Sequence, residues 1–147
     1  KEALQEIAKN PIKTCVTLEW NAADLGEAFA SQFSGKDVDP IEGITSVGDG
    51  GGDQPFVMSK VLLDGKMIGM TSGRTHDYYH QRMISLAFIE KEHAVEGKEV
   101  KVLWGTNGTR QVEIRATVAQ FPYYNEEYRN ETFDVENIPH PVFDKQS

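Results

Sequence analysis

The stretch Val61-Leu62-Leu63-Asp64-Gly65-Lys66-Met67-Ile68-Gly69-Met70-Thr71-Ser72-Gly73 decides the fold. Asp64-Gly65 stands between two apolar runs, residues 61–63 and 66–70. A two-residue type I′ turn needs φ > 0 at both central positions, and Asp-Gly supplies it, so the stretch predicts a tight β-hairpin. Working outward, residues 83–89 mix Met, Ile, Leu, Phe and Ile, which suits a strand buried on one or both faces. Residues 99–104 alternate, with Val100, Val102 and Trp104 on one side. Asn107-Gly108 then turns the chain into residues 110–120, where Val112, Ile114, Ala116 and Val118 again fall at period two. Consecutive strands joined by short turns make an antiparallel sheet, and closing or doubling that sheet hides its edges. The reading is a mainly β (α+β) protein: a small antiparallel β-barrel or jelly-roll-like domain with one or two N-terminal helices.

Upstream, Ala3, Leu4, Ile7 and Ala8 recur at helical spacing and predict a short amphipathic helix, ended by Asn10-Pro11. Residues 14–20 read as a strand with Val16, Leu18 and Trp20 inward. Asn21 is a good N-cap, and Asp24 three residues on makes a carboxylate variant of the capping box. Leu25, Ala28, Phe29 and Phe33 then form one apolar stripe on a helix over residues 22–32. Residues 34–54, rich in Gly and Asp, read as a long functional or mobile loop anchored by Ile41, Ile44 and Val47. The organisation is therefore a barrel domain over residues 1–124 and an acidic tail over 125–147, packed on the barrel or extending from it.

The chain of 147 residues is one domain by length, and its formal charge is −8. No cluster of Lys and Arg offers itself to phosphates, so a nucleic-acid partner is not expected. No apolar run reaches the roughly 20 residues of a membrane helix, and no signal segment opens the chain, so a membrane role is not expected either. The single cysteine, Cys15, reads as a buried thiol without a redox task, which fits a reducing, cytoplasmic setting. The sequence begins at Lys1 and enters a helix at once, as a piece of a longer protein would. A domain cut from its neighbours exposes apolar surface, so a homodimer of the isolated domain is also expected.

Few residues point to chemistry. His76 and His80 stand at i and i+4, which on a helix would offer two imidazoles to a metal with a third ligand. Spacing implies no third ligand, and a polar connection between two strands is the plainer reading. Asp49 to Asp53 lacks the oxygen ligands of a calcium loop and the Lys and Ser/Thr of a phosphate loop. Ser72 and Ser85 lack a nucleophile elbow, and Cys15, His93 and Asp77 are too scattered to suggest a triad. No catalytic residue is assigned. Arg74, Arg82, Arg110, Arg115 and Arg129 offer rigid donor forks suited to carboxylates.

In order, Gly69-Met70-Thr71-Ser72-Gly73, Ile84-Ser85-Leu86-Ala87-Phe88-Ile89, Gly97-Lys98-Glu99-Val100, and Ala116-Thr117-Val118 before Pro122-Tyr123-Tyr124 resemble the C-terminal barrel of the glycine-cleavage T-protein family. Val16-Thr17-Leu18-Glu19-Trp20-Asn21 and the spread of motifs bring the chain nearest its tetrahydrofolate-dependent O-demethylase branch, the vanillate and syringate demethylases. The resemblance implies a non-catalytic domain of a methyl- or aminomethyltransferase, inactive alone, with tetrahydrofolate as cofactor of the whole enzyme. It implies as partners the N-terminal catalytic domains of the same polypeptide. It also implies that Arg129, seven residues after Pro122, and the neighbouring Tyr123 and Tyr124 reach the folate; a solvated arginine on a surface tail is the alternative. Outside the resemblance, a standalone barrel that binds a small ligand or a protein is the rival reading, and a metal-assisted enzyme at His76 and His80 is a third.

Overall fold

A computed structural model describes residues 2–9, 11–36, 38–39, 41, 58–105 and 107–124. Six strands, β1 (Lys13–Trp20), β2 (Met58–Leu63), β3 (Lys66–Asp77), β4 (Arg82–Glu90), β5 (Glu99–Trp104) and β6 (Val112–Ala119), close into a barrel in the order β1-β4-β3-β2-β5-β6. Every neighbouring pair is antiparallel, and β6 returns to pair with β1 through Thr17↔Ala119 and Trp20↔Ala116. The domain is mainly β, and among the described strands closure leaves no open sheet edge.

The hairpin that the sequence predicts is present. Leu63 pairs with Lys66, and between them Asp64 has φ 50° and Gly65 φ 76°, the two left-handed conformations of a type I′ turn. The β5–β6 connection is longer than a tight turn: pairing stops at Trp104↔Val112, with Gly108 at φ 87° within the loop.

Period-two alternation supplies the core. Val16, Leu18 and Trp20 of β1, Met83, Ala87 and Ile89 of β4, Val100, Val102 and Trp104 of β5, and Ile114, Ala116 and Val118 of β6 all point inward and are buried. Burial of the larger of these side chains, the valines, leucine, isoleucines and methionine, is worth about 1.5–3 kcal/mol each. The rings of Trp20 and Trp104 meet edge to face, centroids 6.0 Å apart. Trp20 Nε1 donates to Ser85 Oγ (2.9 Å), and Thr71 Oγ1 lies 2.6 Å from the same oxygen and 2.7 Å from the Leu86 carbonyl. This polar chain is satisfied inside the barrel, as a buried network must be.

Two helices stand at the N-terminal end, α1 (Glu2–Lys9) and α2 (Ala22–Ala30). The Asn21 side chain accepts from the backbone N–H groups of Ala23 and Asp24, so the N-cap forms as read. The second half of the expected capping box does not form. Asn21 N donates to the Arg115 carbonyl instead, and the Asp24 carboxylate accepts from Arg115 N, Nε and Nη2 at 2.7–2.9 Å. A bidentate guanidinium with an added backbone donor outcompetes the local cap, and it holds the Asp24 carboxyl below its ordinary pKa.

Helix α2 stops at Ala30 and tightens into a 3-10 turn, Ser31–Phe33. Ala28 joins the core and Leu25 packs against it, whereas Phe29 and Phe33 form an exposed edge-to-face pair with centroids 5.5 Å apart. The apolar stripe is thus wider than the face the barrel covers. Cys15 also departs from expectation. It lies on the outer barrel face opposite Phe88 and is half-buried, with its thiol pushed up by desolvation. Of the 34–54 loop, Ile41 is buried, while Ile44, Val47 and most of the segment lie outside the described residues, as do the tail 125–147 and Arg129.

Candidate functional site

The sequence between β3 and β4 folds as strand and turn, as the plainer reading has it. Strand β3 runs to Asp77, residues 78–81 turn, and Gln81 takes φ 54° to re-enter β4. Asp77 fixes this turn by the mechanism that makes Asp a turn residue: its carboxylate accepts from the backbone N–H groups of Tyr79 (3.1 Å) and His80 (3.4 Å). It also faces His80 Nδ1 at 2.8 Å. An ionised carboxylate only accepts, so Nδ1 carries the proton of that bond.

The final described segment, residues 121–124, folds back onto this turn. Tyr124 donates a hydrogen bond to Asp77. Burial pushes the Asp77 carboxyl up, but the bonds from Tyr124, His80 and the two backbone N–H groups outweigh it and leave the pKa below the ordinary value. The His80 ring sits among Tyr79, Tyr123 and Tyr124, with centroids at 4.9, 5.6 and 4.6 Å. The Tyr123 hydroxyl donates to Glu19 Oε2 (3.0 Å), whose other oxygen takes Arg82 Nε at 2.8 Å. Burial, and then the bond to Glu19, raise the Tyr123 pKa.

Beneath Phe121, Pro122 and Tyr123, and against Thr17, Ile84 and Leu86, runs a largely apolar groove of about 290 Å³. Thr17 lies at its floor, 1% exposed, and its Oγ1 has no hydrogen-bond partner among the described residues. A buried hydroxyl left unbonded costs about 1–3 kcal/mol. A second, charged cleft of about 440 Å³ lies between α2 and the β5–β6 pair. Its cations are tied down: Lys101 to Glu113 (2.7 Å), Arg115 to Asp24, and Arg110 to Ser31 Oγ (2.6 Å).

The structure thus brings together three of the residues singled out from sequence, Tyr123, Tyr124 and His80. It does not join His76 to them: the His76 ring lies against Tyr78, centroids 4.3 Å apart. Among the described residues, the one trio close enough to share a cation is Glu90, Glu92 and His93. There Lys98 Nζ lies 3.0 Å from His93 Nδ1. An ammonium can only donate, so Nδ1 accepts and Nε2–H faces the carboxylates of Glu90 and Glu92, at 3.7 and 3.4 Å. The cluster thus holds two carboxylates and one ammonium, and Lys98 already occupies one ring nitrogen of His93. Of the five arginines, Arg82, Arg110 and Arg115 hold the partners above, and Arg74 is buried with its guanidinium 5.7 Å from the Trp104 ring centroid.

Sequence reasoning missed Asp77, Glu19 and Arg82 as the residues that fix the tyrosines. Asp77 had a local signal, an Asx turn ahead of Tyr-Tyr-His; Glu19 had none, because Tyr123 is 104 residues away. Ser85, weighed as a nucleophile, is committed to the interior bonds with Trp20 and Thr71.

No family model matches the chain. It is 43% identical to the sesamin methylene transferase of Sinomonas sp. (strain No.22), over 98% of this chain and 33% of that protein. It is 31% identical to the syringate O-demethylase of Sphingobium sp. (strain NBRC 103272 / SYK-6), over 84% of this chain and 28% of that protein. The glycine cleavage aminomethyltransferase T of Bartonella henselae superposes over 82% of this chain and 24% of its own, with a TM-score of 0.47 and 15% identity. The chain spans about a third of the length of the curated relatives it matches, and no helix among the described residues is long and apolar enough to cross a membrane. The chain is a homologue of sesamin methylene transferase and syringate O-demethylase, the branch of the glycine-cleavage T-protein family that its motifs resemble.

Proposed function

We propose that this chain is the non-catalytic C-terminal barrel of a tetrahydrofolate-dependent methyl- or aminomethyltransferase of the O-demethylase kind, working in the cytoplasm. In this reading it helps close the folate channel and braces the catalytic domains of the same polypeptide. One observation carries it: nearly the whole chain aligns with a third of a methylene transferase, so the barrel corresponds to a part of such an enzyme. The geometry agrees. The polar groups around Tyr123 and Tyr124 bond one another and fix the 121–124 segment, which serves positioning. A reaction that joins two substrates needs groups from several elements held in register, and the barrel contributes one wall.

In this reading Arg129, Tyr123 and Tyr124 form the folate-facing edge. Two measurements test it. An immunoblot of source cells, with antibody to this chain, is expected to show a band several-fold larger than 16.5 kDa; a band at that mass favours a standalone binding module. In the full-length protein, Arg129→Ala is expected to weaken tetrahydrofolate binding by calorimetry, and unchanged affinity removes Arg129 from the folate site. Methyl transfer from a methoxy-aromatic donor to tetrahydrofolate by the isolated chain would overturn its non-catalytic role.

A further inference from the structure

We infer that the outer face of β1, β4 and β3, together with the groove under Phe121 and Pro122, is where the rest of a longer polypeptide docks on this barrel. The inference rests on the reading of the chain as one domain of a transferase and adds the face that does the work.

The strand register lays the face out in rows. Cys15 stands opposite Phe88, and Phe88 opposite Met70; in the next row Thr17, Leu86 and Ser72 align; then come Glu19, Ile84 and Thr75. Their chain neighbours Val16, Leu18, Ala87 and Ile89 fill the core, so these rows point outward. Phe88 is 58% exposed, Leu86 46%, and Phe121 beside the groove 52%. An antiparallel sheet with one solvated face alternates apolar-in with polar-out. Here β4 is apolar on both faces along Ile84, Leu86 and Phe88, and a contiguous apolar patch on a sheet marks an interaction surface. At its edge the charges of Glu19 and Arg82 neutralise each other at 2.8 Å, so the patch is not ringed by free charge of one sign.

The occupant follows from length. The relatives leave about two thirds of their polypeptide outside the aligned region. A tethered neighbour is present at high effective concentration, so a modest apolar face suffices to hold it.

Hydroxyl-radical footprinting of the full-length protein, read by mass spectrometry against the denatured protein, tests this. Uncovered, Phe88 at 58% exposure loses less than half of its accessibility on folding. Docked, Phe88, Leu86 and Phe121 label several-fold more slowly than in the denatured protein. Leu86→Asp in the full-length protein is expected to restore Phe88 and Phe121 labelling while Trp20 and Trp104 stay protected, which separates undocking from unfolding. A full-length enzyme that transfers methyl groups while Phe88 and Leu86 label at the uncovered rate overturns this inference and leaves the proposed function standing. A native polypeptide of only 16.5 kDa overturns both. Protection that appears only on concentrating the protein assigns the face to a second copy and overturns the occupant named here.

Discussion

Replacing Gly69 with alanine tests why the segment Gly69-Met70-Thr71-Ser72-Gly73 opens and closes on glycine. Gly69 pairs with Ile89 across β3 and β4, and a Cβ added there would stand 2.2 Å from the Phe88 carbonyl oxygen and 2.7 Å from Ile89 Cα. Ordinary contact begins at 3.4 Å, so backbone must part from backbone by more than about 1 Å. Losing two ladder hydrogen bonds at about 1 kcal/mol each, plus an overpacking term of about 1–2 kcal/mol, gives a destabilisation of about 3–4 kcal/mol. For a domain of this size that lowers Tm by roughly 10 °C. Gly73 is the internal control. Its φ is +61° and nothing lies within 4 Å of the added Cβ, so Gly73→Ala meets only the left-handed backbone penalty of about 1–2 kcal/mol. Gly73→Asn, which tolerates that conformation, should recover part of the loss. Urea unfolding followed by the fluorescence of buried Trp20 and Trp104 reads both variants. If Gly69→Ala costs no more than Gly73→Ala, the close-approach argument is refuted.

Ser85→Ala leaves Trp20 Nε1 without its buried acceptor and should cost about 1–3 kcal/mol, read as a lower urea midpoint. Thr17→Val keeps the shape and deletes an unbonded buried hydroxyl, so the isolated barrel should be as stable as before or more so; a loss above about 1 kcal/mol would show that the hydroxyl has a partner. Because the Asp77 carboxyl is held below its ordinary pKa, its contribution is full above the unfolded value of about 3.9 and is lost as pH falls through the depressed folded value. Asp77→Asn should therefore lower stability at neutral pH and flatten the acid limb of stability against pH in thermal melts. An unchanged acid limb would remove Asp77 as the group that titrates there.

Features that act over a few residues were legible in the amino-acid order. Asp64-Gly65 set the hairpin because type I′ geometry needs two left-handed residues side by side. Asn21 set the start of α2 because its side chain reaches only the next turn. Alternation named the inward residues of β1, β5 and β6, since period two puts every second side chain on one face. It could not tell that β4 has one buried face, because an apolar run such as Ile84-Ser85-Leu86-Ala87-Phe88-Ile89 hides its own phase. The order and spacing of short motifs carried the family. Tertiary structure alone decided the rest: that β6 closes on β1, that Arg115 takes Asp24 from its cap across 91 residues, and that Tyr123 meets Glu19 across 104. Those contacts depend on how a closed sheet brings distant strands together, and no local propensity encodes the path by which the chain returns.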